Sequence, residues 1–161
     1  MIQKTKINRD LIAALRVVPT VVNGSKGKMM PSDVLDTHWN FADQSKDGCV
    51  CWSTNVKIHK SKVDRIDKIV FFSTAEDWYV MADVVKIYAF GEEVLPSPSD
   101  IKPFWCPGEF PEAKNTWIVL KNFRQVNRLE LSYKVLEQDV FLSDQVLKQR
   151  FTLCYAIEQN L

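Results

Sequence analysis

Apolar positions along the chain fall into short blocks separated by polar and turn-forming residues, and the spacing inside each block assigns an element. Two blocks are continuous enough to be buried strands. One is Ile69-Val70-Phe71-Phe72-Ser73, within residues 68–73; the other is Trp78-Tyr79-Val80-Met81-Ala82-Asp83-Val84-Val85, within 78–88. In the second, both alternating faces are largely apolar, as in a barrel strand covered on its outside by helices. Residues 48–53 and 116–123 also read as strands, and Leu129 to Leu136 as a further one before the short apolar stop Val140-Phe141-Leu142.

Helical spacing appears elsewhere. Asn8-Arg9-Asp10 ahead of Leu11-Ile12-Ala13-Ala14-Leu15-Arg16-Val17-Val18 predicts a capped short helix that Pro19 ends. Ser32 or Asp33 caps a second helix around Val34-Leu35-Asp36. Residues 57–66 are ambiguous; Ile58, Val63 and Ile66 line one side if the segment is a short helix, with its lysines in water. Ser143 reads as the N-cap of a C-terminal helix that turns Leu147, Phe151, Cys154 and Tyr155 inward. Asn23-Gly24-Ser25-Lys26-Gly27-Lys28 is a turn or mobile loop by composition. Pro96, Pro98, Pro103, Pro107 and Pro111 exclude a regular helix from residues 91–115, a long surface loop that also carries Phe104, Trp105 and Phe110. The expected architecture is one domain over residues 1–161, of α+β class: a small curved β-sheet or barrel flanked by helices.

Composition narrows the function classes. The chain has 161 residues and a net charge of +1, so a basic field over the whole domain is absent and any nucleic-acid surface must come from local clustering. No stretch has the ~18–20 consecutive apolar residues of a membrane span, and the start lacks a signal-peptide core. The chain reads as intracellular, cytoplasmic or nuclear, with reduced cysteines. Cys49 and Cys51 form a C-x-C pair with no second pair of matching spacing, so they read as strand-borne core residues and not as a zinc site. The two histidines, His38 and His59, sit in no nucleophile or metal motif, and Asp64/Asp67 and Glu92/Glu93 are carboxylate pairs without partners. The reading is no enzyme, no cofactor and no metal. No GxxxxGK[ST] phosphate loop occurs either.

The tryptophans carry the sharpest signal. Gly48-Cys49-Val50-Cys51-Trp52-Ser53-Thr54 is followed by the basic stretch Lys57 to Arg65, then Val70-Phe71-Phe72-Ser73, then Tyr79 to Val84, and finally Trp117-Ile118. This order resembles the YTH-type readers of N6-methyladenine, within the wider PUA-like family. The resemblance implies a PUA-like fold that takes a flipped methylated base between Trp52 and Trp117. The backbone carbonyl of Ser53 would accept the hydrogen of the methylated amine. Asn40 would meet the base edge, with Asn55 as the fallback and Trp105 as the reserve wall. The chain departs from the family pattern at Ala75-Glu76-Asp77-Trp78, where a Gly or Ser turn is usual, and in its C-terminal part. Those departures fit relatives that serve as specificity domains of modification-dependent restriction systems, and then the chain is one module of a larger protein or complex.

Each tryptophan also has a plain reading as core, since most aromatic surface is buried in cores. Lys57, Lys60, Lys62, Arg65 and Lys68 are either a solvated face or a phosphate-contacting edge, with Arg124 and Arg128 as an opposite bank and Lys26 and Lys28 reaching round the strand. The favoured partner is methylated DNA or RNA. The alternatives are an EVE-like or ASCH-like reader of another modified base, or a protein-interaction domain that docks its partner through residues 96–111.

Overall fold

The computed structural model describes residues 9–21, 28–54, 56–88, 116–148 and 152–158. The fold is mixed and sheet-dominated. Its strands are β1 (Leu11–Arg16), β2 (Thr20–Val21), β3 (Lys28–Met29), β4 (Val50–Thr54), β5 (Ile66–Ser73), β6 (Trp78–Tyr88), β7 (Thr116–Gln125), β8 (Lys134–Val135) and β9 (Leu153–Ile157). The helices are α1 (Pro31–Gln44), the single turns α2 (Lys60–Val63) and α3 (Leu142–Gln145), and a 3-10 turn at Arg128–Glu130.

Seven strands form one open sheet in the order β4-β7-β6-β5-β1-β9-β8, and β2 and β3 pair separately. The β5–β6 and β6–β7 neighbours are antiparallel, whereas β1 lies parallel to β5. That parallel pair is why the segment from Leu11 is a strand and not the helix its spacing predicts. Lying between β5 and β9, β1 is buried on both faces and needs no amphipathic period. The expected C-terminal helix is corrected as well. Among the described residues one helical turn, α3, follows Phe141, and Cys154 and Tyr155 lie on β9, which zips against β1 and β8. The strand expected over 129–136 is reduced to the 3-10 turn and the two-residue β8.

Two cores lie on the two faces of the sheet. On one face α1 packs Val34, Leu35 and Ala42 onto Val50, Trp52, Ile69, Phe71, Ile118 and Leu120. Ile58, ahead of α2, Val63, partly, at its end, and Ile66 on β5 add to this layer, so the three residues do not share one helix face. On the other face α3 and the 3-10 region cover Ile12, Val70, Phe72, Tyr79 and Met81 with Leu131, Leu142 and Val146. Trp52 on the edge strand and Phe71 on β5 are three strand steps apart, ~14 Å in a flat sheet. Their rings nevertheless meet at 4.3 Å, a contact compatible with a curved sheet.

The N-terminus of α1 is capped across the sheet. Its N-cap residue, Met30, makes no side-chain cap bond. Instead Glu76, in the β5–β6 turn, accepts from the Ser32 N–H at 2.9 Å and from the Ser32 hydroxyl at 2.8 Å. A carboxylate there satisfies the orphan Ser32 N–H, accepts from the hydroxyl as well, and meets the positive end of the helix dipole. The departure Ala75-Glu76-Asp77-Trp78 thus has a structural use: it brings the cap, and Trp78 steadies it through Nε1–H to Glu76 at 3.3 Å.

Candidate functional site

Both tryptophans of the expected cage are placed by one pairing. β4 and β7 run antiparallel with Trp52 opposite Ile118 and Ser53 opposite Trp117. Directly paired residues share a face and successive residues alternate, so Trp52 and Trp117 project to opposite sides of the sheet. The clusters agree. Trp52 belongs to the layer under α1, whereas Trp117 packs with Cys51, Tyr88 and Val119 on the far side. A slot with Trp52 and Trp117 as its two walls is therefore corrected: the register separates them by the thickness of the sheet.

Trp52 is 6% exposed, and its ring is already in company. Phe71 stacks on it at 4.3 Å, and the His38 ring lies at 4.2 Å, tilted by 33°. Phe71 leads on to Phe123 at 6.3 Å and Phe123 to Trp39 at 6.0 Å, so an aromatic row runs beneath α1. His38 is fully buried, and its Nδ1–H donates to the Val34 carbonyl one helical turn back, at 2.7 Å. Burial pushes its pKa down to about 4, so the imidazole is neutral at pH 7. Sequence reasoning gave His38 no role; its position four residues after Val34 on the inward face of α1 was the available signal.

Asn40 is exposed, two residues beyond His38 on α1 and about 200° round the helix from it. It faces water and not Trp52, which removes it as the base-edge partner at this site. Asn55 and Trp105 lie outside the described residues. Ser53 and Thr54 end the edge strand, beside the start of β7 at Thr116 and Trp117. Tyr88, the last residue of β6, pairs with Trp117. The connection between β6 and β7 therefore leaves and returns at the end of the sheet where Ser53 and Thr54 end β4.

The expected phosphate contacts divide. Lys57, just before α2, and Lys60, its first residue, are exposed. Lys62 sits over the Tyr155 ring, with its Nζ 5.2 Å from the ring centre. Arg65 is engaged: Nε and Nη2 each donate to Asp10 at 2.9 Å, a two-pronged pair that lowers the Asp10 pKa. Arg128 donates to the Ser143 carbonyl at 2.8 Å, tying the 3-10 turn to α3. Arg124 reaches Asp83 at 3.2 Å on the opposite face from α1. Lys57, Lys60 and Lys62 thus form one edge, and Arg124 belongs to a separate surface. Lys26 lies outside the described residues.

Cys51 is a buried residue of β4, whereas Cys49 lies just before the strand and packs half-buried against the same cluster. Among the described residues no group of three or more His, Cys, Asp or Glu side chains is placed to hold a metal ion. No described helix is long and apolar enough to cross a membrane. Comparison with protein-family models, with curated proteins and with solved structures returns no match.

Proposed function

We propose that this chain is a modified-base-binding domain of YTH-like, PUA-like type that takes a methylated base, N6-methyladenine first, flipped out of a DNA or RNA strand. One observation carries the reading. The segments that bear the resemblance fall, in order, on discrete elements in and beside one sheet. Cys51-Trp52-Ser53-Thr54 ends β4, the basic stretch spans α2, Val70 to Ser73 ends β5, Tyr79 to Val84 lies in β6, and Trp117-Ile118 opens β7. In this reading the base meets the main chain at Ser53, Trp52 is the packed floor of the pocket, and Trp117 belongs to the core. The remaining aromatic candidate is Trp105, in the connection that leaves β6 at Tyr88 and enters β7 at Thr116, opposite Thr54. Lys57 and Lys60 contact phosphates. As in restriction specificity modules, catalysis would lie on another chain or domain.

Titration of single strands with and without one N6-methyladenine tests the reading. Preference for the methylated strand is expected, lost in Trp105→Ala while the melting temperature is kept. A stacked, paired base offers no free face, so a duplex mismatched opposite the methylated base should bind more tightly than the paired duplex. The same affinity for methylated and plain strands would refute the reading.

A second reading, a protein-interaction domain, is favoured by the exposed apolar side chains Leu129 (76% exposed), Phe141 and Leu147 around the 3-10 turn and α3. Its expected loop, 96–111, lies outside the described residues.

A further inference from the structure

On the face away from α1, a charged strip crosses the sheet between the apolar layer under α3 and the cluster around Trp117. Lys68 on β5 pairs with Asp83 on β6, and Asp83 pairs with Lys121 on β7, so the three side chains share that face. With Arg9, Asp67 and Arg124 they line an open trough of about 460 Å³.

The charges in the trough are not equally available. Asp83 is occupied on both oxygens, by Asn122 Nδ2 at 3.0 Å and Arg124 Nη1 at 3.2 Å. Lys68 is shared between Asp67 and Glu158. Two cations have no carboxylate within ion-pair distance among the described residues. Arg9 donates through Nη1 to the Val84 carbonyl at 3.0 Å and through Nη2 to the Val85 carbonyl at 3.2 Å. These carbonyls lie just past Asp83, where the β5–β6 pairing ends, and need a donor from elsewhere. Neutral acceptors hold the guanidinium in place without cancelling its charge. Lys121 is exposed on the next strand, opposite Asp83. The trough therefore offers one fixed and one mobile positive charge, with the acids between them already matched.

We propose that this trough binds the phosphodiester backbone of a nucleic-acid strand, with Arg9 as the fixed contact and Lys121 as the mobile one. The proposal rests on the base-reading function above and adds a second backbone contact on the opposite side of the sheet from Lys62. An open trough suits a polyanion that runs on past it better than a small ligand that must be enclosed.

The test is fluorescence anisotropy with a labelled single strand, plain or carrying one N6-methyladenine, across a salt series. The proteins are wild type, Lys121→Glu, Lys121→Gln and the control Lys46→Glu, each checked by thermal melting. Lys121→Glu should weaken both strands by about fivefold to tenfold, and Lys121→Gln should flatten the salt slope by ~0.7, the loss of one contact to a single strand. Lys46→Glu should stay within about twofold of wild type. Methyl preference that persists with unchanged affinity and slope in both Lys121 variants overturns the trough and leaves the base reading standing. Loss of affinity in the Lys121 variants without any methyl preference in wild type leaves the trough standing and overturns the base reading. A mononucleotide, or a poly-glutamate peptide, that binds as tightly as the strand and with the same dependence on Lys121 would also overturn the proposal.

Discussion

Acid should loosen this fold through one side chain. His38 is enclosed between α1 and the sheet, beside Trp52, and its neutral form is the one that fits. Burial lowers its pKa from 6.5 to about 4. Between those values the unfolded chain binds a proton that the folded protein refuses, so stability falls as pH falls. The stabilisation is complete above pH 6.5, declines through the window and is fully lost below pH 4. At ~1.4 kcal/mol per pH unit, the whole window is worth about 3 kcal/mol and the drop from pH 7.5 to pH 5 about 2 kcal/mol. Asp10, Asp67 and Glu76 also have lowered pKa values, but their unfolded references of 3.8 and 4.5 confine their effects to more acid conditions. Urea unfolding followed by tryptophan fluorescence at pH 7.5, 6.5, 5.5 and 5.0 measures the slope directly. His38→Gln keeps a polar side chain but cannot titrate. Its stability at pH 7.5 should be lower than wild type, and its dependence on pH above 5 much shallower. Parallel pH profiles for the two proteins would refute the argument, because the acid sensitivity would then originate elsewhere.

The remaining expectations concern packing and capping. Trp117→Ala should cost about 3–5 kcal/mol, the range for a large aromatic removed from a core, measured by the same unfolding curves; a loss under 1 kcal/mol would mean that the ring is not structural. Glu76→Ala removes the acceptor for two donors at the start of α1 and should cost about 1 kcal/mol, whereas Glu76→Gln, which keeps one acceptor oxygen, should cost less. Arg65→Ala should change stability by less than about 1 kcal/mol, since both partners of the Asp10 pair are partly in water. Cys154, its thiol pushed up to about 12 by burial, should resist alkylation at pH 8 in the native protein and react on unfolding, read by mass spectrometry of the peptide.

What the amino-acid pattern reveals here depends on how each segment is buried. β6 was legible over residues 78–88 because its largely apolar, β-branched- and aromatic-rich sequence, broken by charge at Asp83 and Lys86, suits a strand buried on both faces. Residues 57–66 were ambiguous in the sequence and hold only the single turn α2, with Ile58 ahead of it and Ile66 already on β5. The segment at Leu11 was misread because a strand covered on both faces shows no alternation, and its alanines and leucines favour a helix just as well. Leu147, Phe151, Cys154 and Tyr155 fall at helical spacing, but the central β1 needed a partner on its second edge, and β9 supplies it. There tertiary pairing overrode local preference.

The candidate site shows a different boundary. Alternation along β4 states that Cys51 and Trp52 face opposite ways, and alternation along β7 states the same of Trp117 and Ile118. Neither states which residue of one strand meets which of the other. Had Trp52 paired with Trp117, both rings would share a face and a two-walled slot would follow; with Trp52 opposite Ile118, one ring goes under α1 and the other goes behind the sheet. A shift of one residue in pairing decides between these outcomes, and burial of the whole strand enforces the register. Trp52 stacks on Phe71, and Trp117 packs with Cys51 and Tyr88, so moving either strand by one residue would empty both clusters at once. Two tryptophans at strand ends are therefore evidence for a β framework with a shared end, and only the pairing tells whether they face one another.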